Sequence, residues 1–218
     1  MSRPKRELKK KFIVFCEGDT EYHYIDQMRK TQGVEISIKP INMKGGGYQS
    51  FLDEIRTKAQ TNCIAKFIIV DADRIQNGKS EKDGFLRLLD FCRIQNQKKA
   101  VPHFLIIDNP DFEYVACLHI SDYKGQDTAS YIKKQLGFGS VDSFKGKTDV
   151  YYYLNSGDNS YQNMLRRLAV DYNHKFLKNT YVVRKKLFDI EIKDTIVNFD
   201  HLSYKGSNIE EFFDVIEW

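Results

Sequence analysis

Three acids offer the first chemistry in this sequence: Glu17, Asp71 and Asp73. Asp71 and Asp73 are two residues apart, so in an extended chain both side chains leave the same face. Short carboxylates gathered at one place repel each other and raise one another's pKa unless a cation compensates them. Hard oxygen donors of this kind suit Mg²⁺ or Mn²⁺ rather than zinc. The chemistry they point to is metal-assisted phosphoryl transfer on a phosphodiester. Two other readings stay open: a Mg²⁺-dependent nucleotide or phosphate binder, and plain loop acids, because an aspartate after a strand also serves as a turn former or helix cap. Glu21, four residues beyond Glu17, faces the same way if a helix starts promptly.

Those acids are more than fifty residues apart in sequence, so the elements around them must bring them together. Lys11–Cys16 is a short β-branched and aromatic run ending at Glu17-Gly18, which predicts a buried strand and a sharp turn. A helix follows, capped by Asp19 or Thr20, with Tyr24, Ile25 and Met28 at helical spacing and Gly33 as its stop. Val34–Met43 predicts a second strand, Ser50–Gln60 a second helix and Lys66–Asp71 a third strand. This β-α-β-α-β order makes a parallel sheet with right-handed crossovers, whose catalytic groups gather at the strand C-termini. A helix over about 81–95, a strand over Val101–Ile107 and a helix Phe112–His119 complete an α/β core. Beyond it, Thr128–Leu136 and Tyr161–Lys175 read as helices and Gly137–Lys147 as an exposed polar segment. Tyr181–Val183 and Thr195–Phe199 read as strands, and Ile209–Ile216 as a closing helix. The domain plan is a basic arm (1–10), a core (11–125) and a C-terminal α+β extension (126–218) packed on it.

A chain of 218 residues, 41% hydrophobic and 29% charged, suits one principal globular domain. No apolar stretch approaches the roughly 20 residues of a membrane span, so no membrane partner is expected and the cytoplasm is the expected location. Cys16, Cys63, Cys92 and Cys117 have no paired spacing and read as reduced, buried thiols. The net charge of +4 permits a polyanionic partner without demanding one. Arg3, Lys5, Arg6, Lys9, Lys10 and Lys11 form a basic arm, and Arg166, Arg167, Arg184, Lys185 and Lys186 add later clusters; each is either a phosphate contact or a solvated face.

Phe12 through Glu21 (FIVFCEGDTE), followed by Tyr24, resembles the opening motif of RloB-like proteins, a family of the TOPRIM superfamily. The resemblance continues at Asp71-Ala72-Asp73-Arg74 and at Asn109-Pro110-Asp111-Phe112-Glu113 with His119, and so covers about residues 10–120. Asp108 and Asp111 stand where the family usually has Ser and Cys. The resemblance implies a TOPRIM-like, Rossmannoid core with a mainly parallel central sheet. It also implies a nuclease effector of bacterial antiphage loci, hydrolysing DNA or RNA beside an RloA-like ATPase partner, with Mg²⁺ or Mn²⁺ as cofactor. Carried onto this chain, it makes Glu17 the general acid/base and a metal ligand, and Asp71 and Asp73 the metal pair. A homodimer is left open.

Further candidates surround these. Glu113, in or near the first turn of its helix, is placed with the metal ligands and catalytic residues; the alternative is stabilisation of the helix dipole. Lys145 and Lys147 stand near the position of a family lysine that would offset transition-state charge. Either one can match; Lys147 is grouped with the catalytic set and Lys145 with the phosphate-binding residues Lys44, Gly46 and Arg74. The run Gly45-Gly46-Gly47 can aim amides at a phosphate, although no Walker pattern is present and a flexible turn is the alternative. Asn109 serves as a loop-orienting group or N-cap, and His119 as a catalytic or simply packed histidine. The tyrosines Tyr22, Tyr24 and Tyr151–Tyr153 either stack on bases or pack the core. The rival to a nuclease is a non-catalytic recognition or docking module of an ATPase-containing complex. Topoisomerase- or primase-like transfer ranks last, because no tyrosine is identifiable as nucleophile and the chain lacks room for gate domains.

Overall fold

Three near-continuous apolar runs build the centre of the molecule: β1 (Lys11–Cys16), β3 (Ala65–Asp71) and β4 (His103–Asn109). Such runs are what a parallel sheet covered on both faces requires. A computed structural model describes residues 11–31, 37–58, 63–98, 101–170, 174–184 and 189–216. The basic arm 1–10, Gly33, the first residues of the expected second strand, the last residues of the expected second helix, Lys185 and Lys186 lie outside the described residues.

The sheet order is β2-β1-β3-β4-β7, with β2 (Ser37–Asn42), β1, β3 and β4 parallel and a two-residue β7 (Gly206–Ser207) antiparallel to β4. Side chains alternate across it. Phe12, Val14, Cys16, Phe67, Ile69, Phe104 and Ile106 face one core with α1 (Asp19–Thr31) and α4 (Phe112–Leu118). Ile13, Phe15, Ile68, Val70, Leu105 and Ile107 face the other with α2 (Tyr48–Thr57) and α3 (Lys79–Gln97). The architecture is a Rossmann-like α/β core. The chain leaves β1 for β2 on one side and returns to β3 on the other, so the switch in strand order falls between β1 and β3, where such sheets open a crevice at their C-terminal edge.

The second half weaves back into the first. Four helices, α5 (Thr128–Lys134), α6 (Val141–Lys145), α7 (Val150–Leu154) and α8 (Tyr161–Val170), pack on the α1 and α4 side. The hairpin of β5 (Leu177–Arg184) and β6 (Asp189–Val197) forms its own two-stranded sheet. Both strands are longer than their short apolar centres suggest. After β7, α9 (Glu210–Ile216) buries Phe212, Phe213, Val215 and Ile216. Where β7 is too short to pair with β4, amide side chains take over. Asn208 accepts from the Ile107 N–H at 2.8 Å and donates to the Leu105 carbonyl at 3.1 Å, while Asn179 donates to the same carbonyl at 3.0 Å. An edge that would otherwise expose backbone groups is thereby closed.

The expectation that 137–147 is an exposed polar segment is corrected at α6. Ser140 caps that helix, its hydroxyl accepting from the Ser143 N–H at 3.0 Å, and Phe144 is fully buried. The glycines at 137, 139 and 146 concealed one helical turn with a single anchoring ring.

Candidate acidic site

Glu17 follows the last residue of β1, and its carboxylate turns toward the neighbouring strand. Its Oε2 accepts a hydrogen bond from the backbone N–H of Asp71 at 2.8 Å. Its Oε1 lies 3.5 Å from Nε of Arg74. Burial pushes this carboxyl up to about 7; the Asp71 amide and the Arg74 charge pull against that shift, and Asp73 adds to it.

Asp71 ends β3 and aims its carboxylate at the start of α4, accepting from the Phe112 N–H at 3.0 Å. Its pKa is raised well above the ordinary carboxylate range by burial, then by the charges of Glu21, Glu17, Asp108 and Glu113. Glu21, in the first turn of α1, is pushed up to about 8 by burial and by Glu113, Glu17 and Asp108. Glu113 is buried in the first turn of α4 and raised by burial to about 6, with Lys145 opposing. The four acids therefore share one desolvated neighbourhood at the switch point.

Asp73 does not share Asp71's face. The strand ends at Asp71, Ala72 turns into the helical region, and Asp73 opens a 3₁₀ turn (Asp73–Gln76) with an exposed side chain. The carbonyl of Pro110 holds this turn, accepting from the N–H groups of Ala72 and Asp73, both at 3.0 Å. Asp73 thus stands at the rim, close enough to raise Glu17 and Asp111.

Of the two lysines, Lys145 enters the cluster. Its Nζ lies 3.3 Å from Oε2 of Glu113. Burial pulls its pKa down, but Glu113, Asp71 and Asp111 outweigh that and leave it raised. Lys147, grouped above with the catalytic residues, is not brought there: it pairs with Asp149 at 2.7 Å and lies over the Tyr153 ring at 5.1 Å. One helical turn is enough to send the two ammonium groups to different surfaces.

With this geometry in place, the sequence profile of the RloB-like protein family matches residues 12–200. The chain belongs to the RloB-like protein family. No curated protein and no solved structure matches it. No helix among the described residues is long and apolar enough to cross a membrane.

The remaining candidates of this RloB-like chain sort by position. Lys44 and Gly46 are exposed beside the site, in a loop whose Gly45 N–H donates to the Glu17 carbonyl at 2.8 Å. Lys44, Gly45 and Gly46 have φ of 59°, 69° and 115°, so the glycines serve a left-handed path that other residues resist. Asn109 is no N-cap. Its side chain donates to the carbonyls of Leu202 at 3.0 Å and Tyr204 at 2.7 Å, while Asp111 caps α4 by accepting from the Tyr114 N–H at 2.9 Å. His119 is fully buried, with Nδ1 3.0 Å from the Val115 carbonyl and Nε2 2.8 Å from the Tyr24 hydroxyl. Burial lowers its pKa to about 4, and it serves as a packed link between α1 and α4. Tyr24 and Tyr151 are buried against each other and belong to the core. Arg167 donates to the carbonyls of Leu118, Ile120 and Ser121 at the end of α4, so this basic residue is engaged within the fold.

Asp108 was seen in the sequence only as a departure from the family. It is the penultimate residue of β4, paired in register with Asp71, and is fully buried. Ser207 donates its hydroxyl to Oδ1 at 2.5 Å, Oδ2 has no hydrogen-bond partner, and burial raises the carboxyl to about 7. The strand register was the signal that would have found it. Tyr48, whose hydroxyl donates to the Asp71 carbonyl, belongs to no motif that would single it out in the sequence.

The donor chemistry fits a hard divalent cation: every group is a carboxylate, and the buried Glu113 Oε2 and Asp108 Oδ2 lack hydrogen-bond partners. Among the described residues, no three His, Cys, Asp or Glu side chains take up a metal-holding arrangement. This donor set suits an ion held by one or two carboxylates with water and substrate oxygens completing the shell, the usual manner of Mg²⁺.

Proposed function

We propose that this RloB-like chain is a metal-dependent phosphodiesterase of the TOPRIM type that hydrolyses DNA or RNA in the cytoplasm and acts with an ATPase as an antiphage effector. The observation that carries this reading is the junction of Glu17 and Asp71 across β1 and β3, with Glu21, Glu113 and Asp108 within charge reach. Asp71 and Glu113 are the carboxylates that would hold Mg²⁺ or Mn²⁺, with Glu17 and Asp73 flanking the ion. When bound, such an ion polarises a phosphate, lowers the pKa of water and steadies the leaving oxygen. Glu17, with a carboxyl near neutrality, is suited to exchange a proton at the reacting oxygen. Arg74 and Lys145 bring positive charge to the rim, where a phosphate would approach, and Lys44 and Gly46 form the adjoining wall.

The test is cleavage of plasmid, single-stranded DNA and tRNA with Mg²⁺ or Mn²⁺, with and without the partner ATPase. Activity that disappears in Glu17→Gln and Asp71→Asn supports the proposal. A wild type that cuts nothing even with its ATPase, or variants that cut equally well, overturns it.

A second reading, a docking module whose acids are structural, draws on the engagement of Glu17 with Arg74 and of Glu113 with Lys145. It requires Mn²⁺ titrations that produce no heat, or heat indifferent to Asp71→Asn and Asp73→Asn, alongside a stable ATPase complex.

A further inference from the structure

The acidic site carries an arrangement that the choice of catalytic residues does not explain. Glu113 is almost completely buried, yet its Oε2 has no hydrogen-bond partner. A compensating charge, Nζ of Lys145, lies 3.3 Å away, a long ion pair. Lys145 is the last residue of α6, and its backbone is fixed. Phe144 beside it is fully buried, the Thr20 hydroxyl donates to the Lys145 carbonyl at 3.4 Å, and the Gly146 and Lys147 N–H groups close the turn at 2.9 Å. Its side chain is nevertheless 48% exposed, against 4% for that of Glu113. A long flexible stem on a fixed base brings one positive charge to the mouth of the acid cluster, where it acts on Glu113, Asp71 and Asp111.

We propose that Lys145 is a tethered counter-cation: its ammonium neutralises Glu113 in the metal-free protein, and a divalent cation and this lysine compete for the same carboxylate. The inference rests on the metal-binding reading above and goes beyond it by naming what the metal must displace. A 3.3 Å ion pair to a half-exposed ammonium is a weak hold, so displacement is feasible. A doubly charged ion surrounded by four further acids gains more from the site than one ammonium does. The displaced ammonium remains within reach of the rim, where a phosphate would enter.

The test is Mn²⁺ affinity, measured by calorimetry and by the electron paramagnetic resonance of free Mn²⁺, on the full chain. Lys145→Met keeps the stem and removes the charge. It is expected to bind Mn²⁺ roughly tenfold more tightly than wild type, since the ion no longer has to displace an ammonium from Glu113. In a Glu113→Gln background the same substitution is expected to change affinity less than about twofold, because the contested carboxylate is gone. Circular dichroism and melting curves check that each variant is folded, and Lys145→Arg, which keeps the charge, guards against a purely structural effect by remaining near wild type. A wild type that binds Mn²⁺ while Lys145→Met binds no more tightly overturns the competition and leaves the metal site standing. A gain that persists in the Glu113→Gln background places the effect elsewhere and also overturns it. Absence of Mn²⁺ binding in every variant overturns both this inference and the metal-binding reading.

Discussion

The carboxylate of Glu17 accepts the backbone N–H of Asp71 at 2.8 Å, so the acid that ends one strand is held by the acid that ends its neighbour. Parallel strands in register bring both to the same edge, and the hydrogen bond fixes one Glu17 oxygen while the other faces Arg74. Residues 54 positions apart become one unit.

On the proposed function, that unit trades stability for chemistry. Asp71→Asn keeps an oxygen for the Phe112 N–H and removes an ionisable group whose charged form burial and its acidic neighbours disfavour. Without metal, the melting temperature should rise by about 2–4 °C, corresponding to about 1 kcal/mol in a chain of this size. Cleavage should fall on the order of 100-fold or more. A variant that melts lower in metal-free buffer would show that the acids are not in conflict.

The two lysines should separate by function. Lys145→Ala should slow cleavage by roughly tenfold or more, as loss of a charge near the transferred phosphoryl group does. Lys147→Ala, whose ammonium is occupied by Asp149 and Tyr153, should slow it by less than about threefold and cost under about 1 kcal/mol of stability. Single-turnover rates on one substrate decide, and equal losses would deny Lys145 its place.

Acid stability should reflect His119. Its pKa falls from 6.5 to about 4 on folding, because burial disfavours the charged ring. Between those values the unfolded chain binds more protons, so this group's contribution is intact above pH 6.5 and is lost as pH falls toward 4. His119→Gln should be destabilised at pH 7, and its deficit relative to wild type should narrow at pH 5. Parallel urea midpoints across that range would contradict a neutral buried imidazole.

Asn109→Ala should act through the fold. It strands the carbonyls of Leu202 and Tyr204, costing about 2–3 kcal/mol if neither finds water. The urea midpoint should drop, and limited proteolysis should open the segment 199–205 first. An unchanged midpoint would mean those carbonyls are readily solvated.

The parallel core was legible in the sequence because its signals are local. The apolar runs ending in Cys16, Asp71 and Ile107, and the helical spacing of Tyr24, Ile25 and Met28, state their own structure. Convergence of Glu17 and Asp71 followed from connection order alone. Asp73 was harder, because the expectation of one shared face assumes that the strand continues, whereas the Pro110 carbonyl turns the chain at Ala72. Asn109 read as a cap for the same reason: its partners, Leu202 and Tyr204, lie over ninety residues away. The choice between Lys145 and Lys147 depended on the direction of one short helical turn, set by Phe144 finding the core.

Ser207 reaches Asp108 across ninety-nine positions of chain, and β7 is the strand of the sheet made after the other four. During synthesis, the first four strands leave the ribosome with the β4 edge bare and with Asp108 lacking its hydroxyl donor. Contacts that distant are the slow ones to form. The carboxylate of Asp108 therefore stays without its hydroxyl partner until the chain as far as Ser207 has emerged.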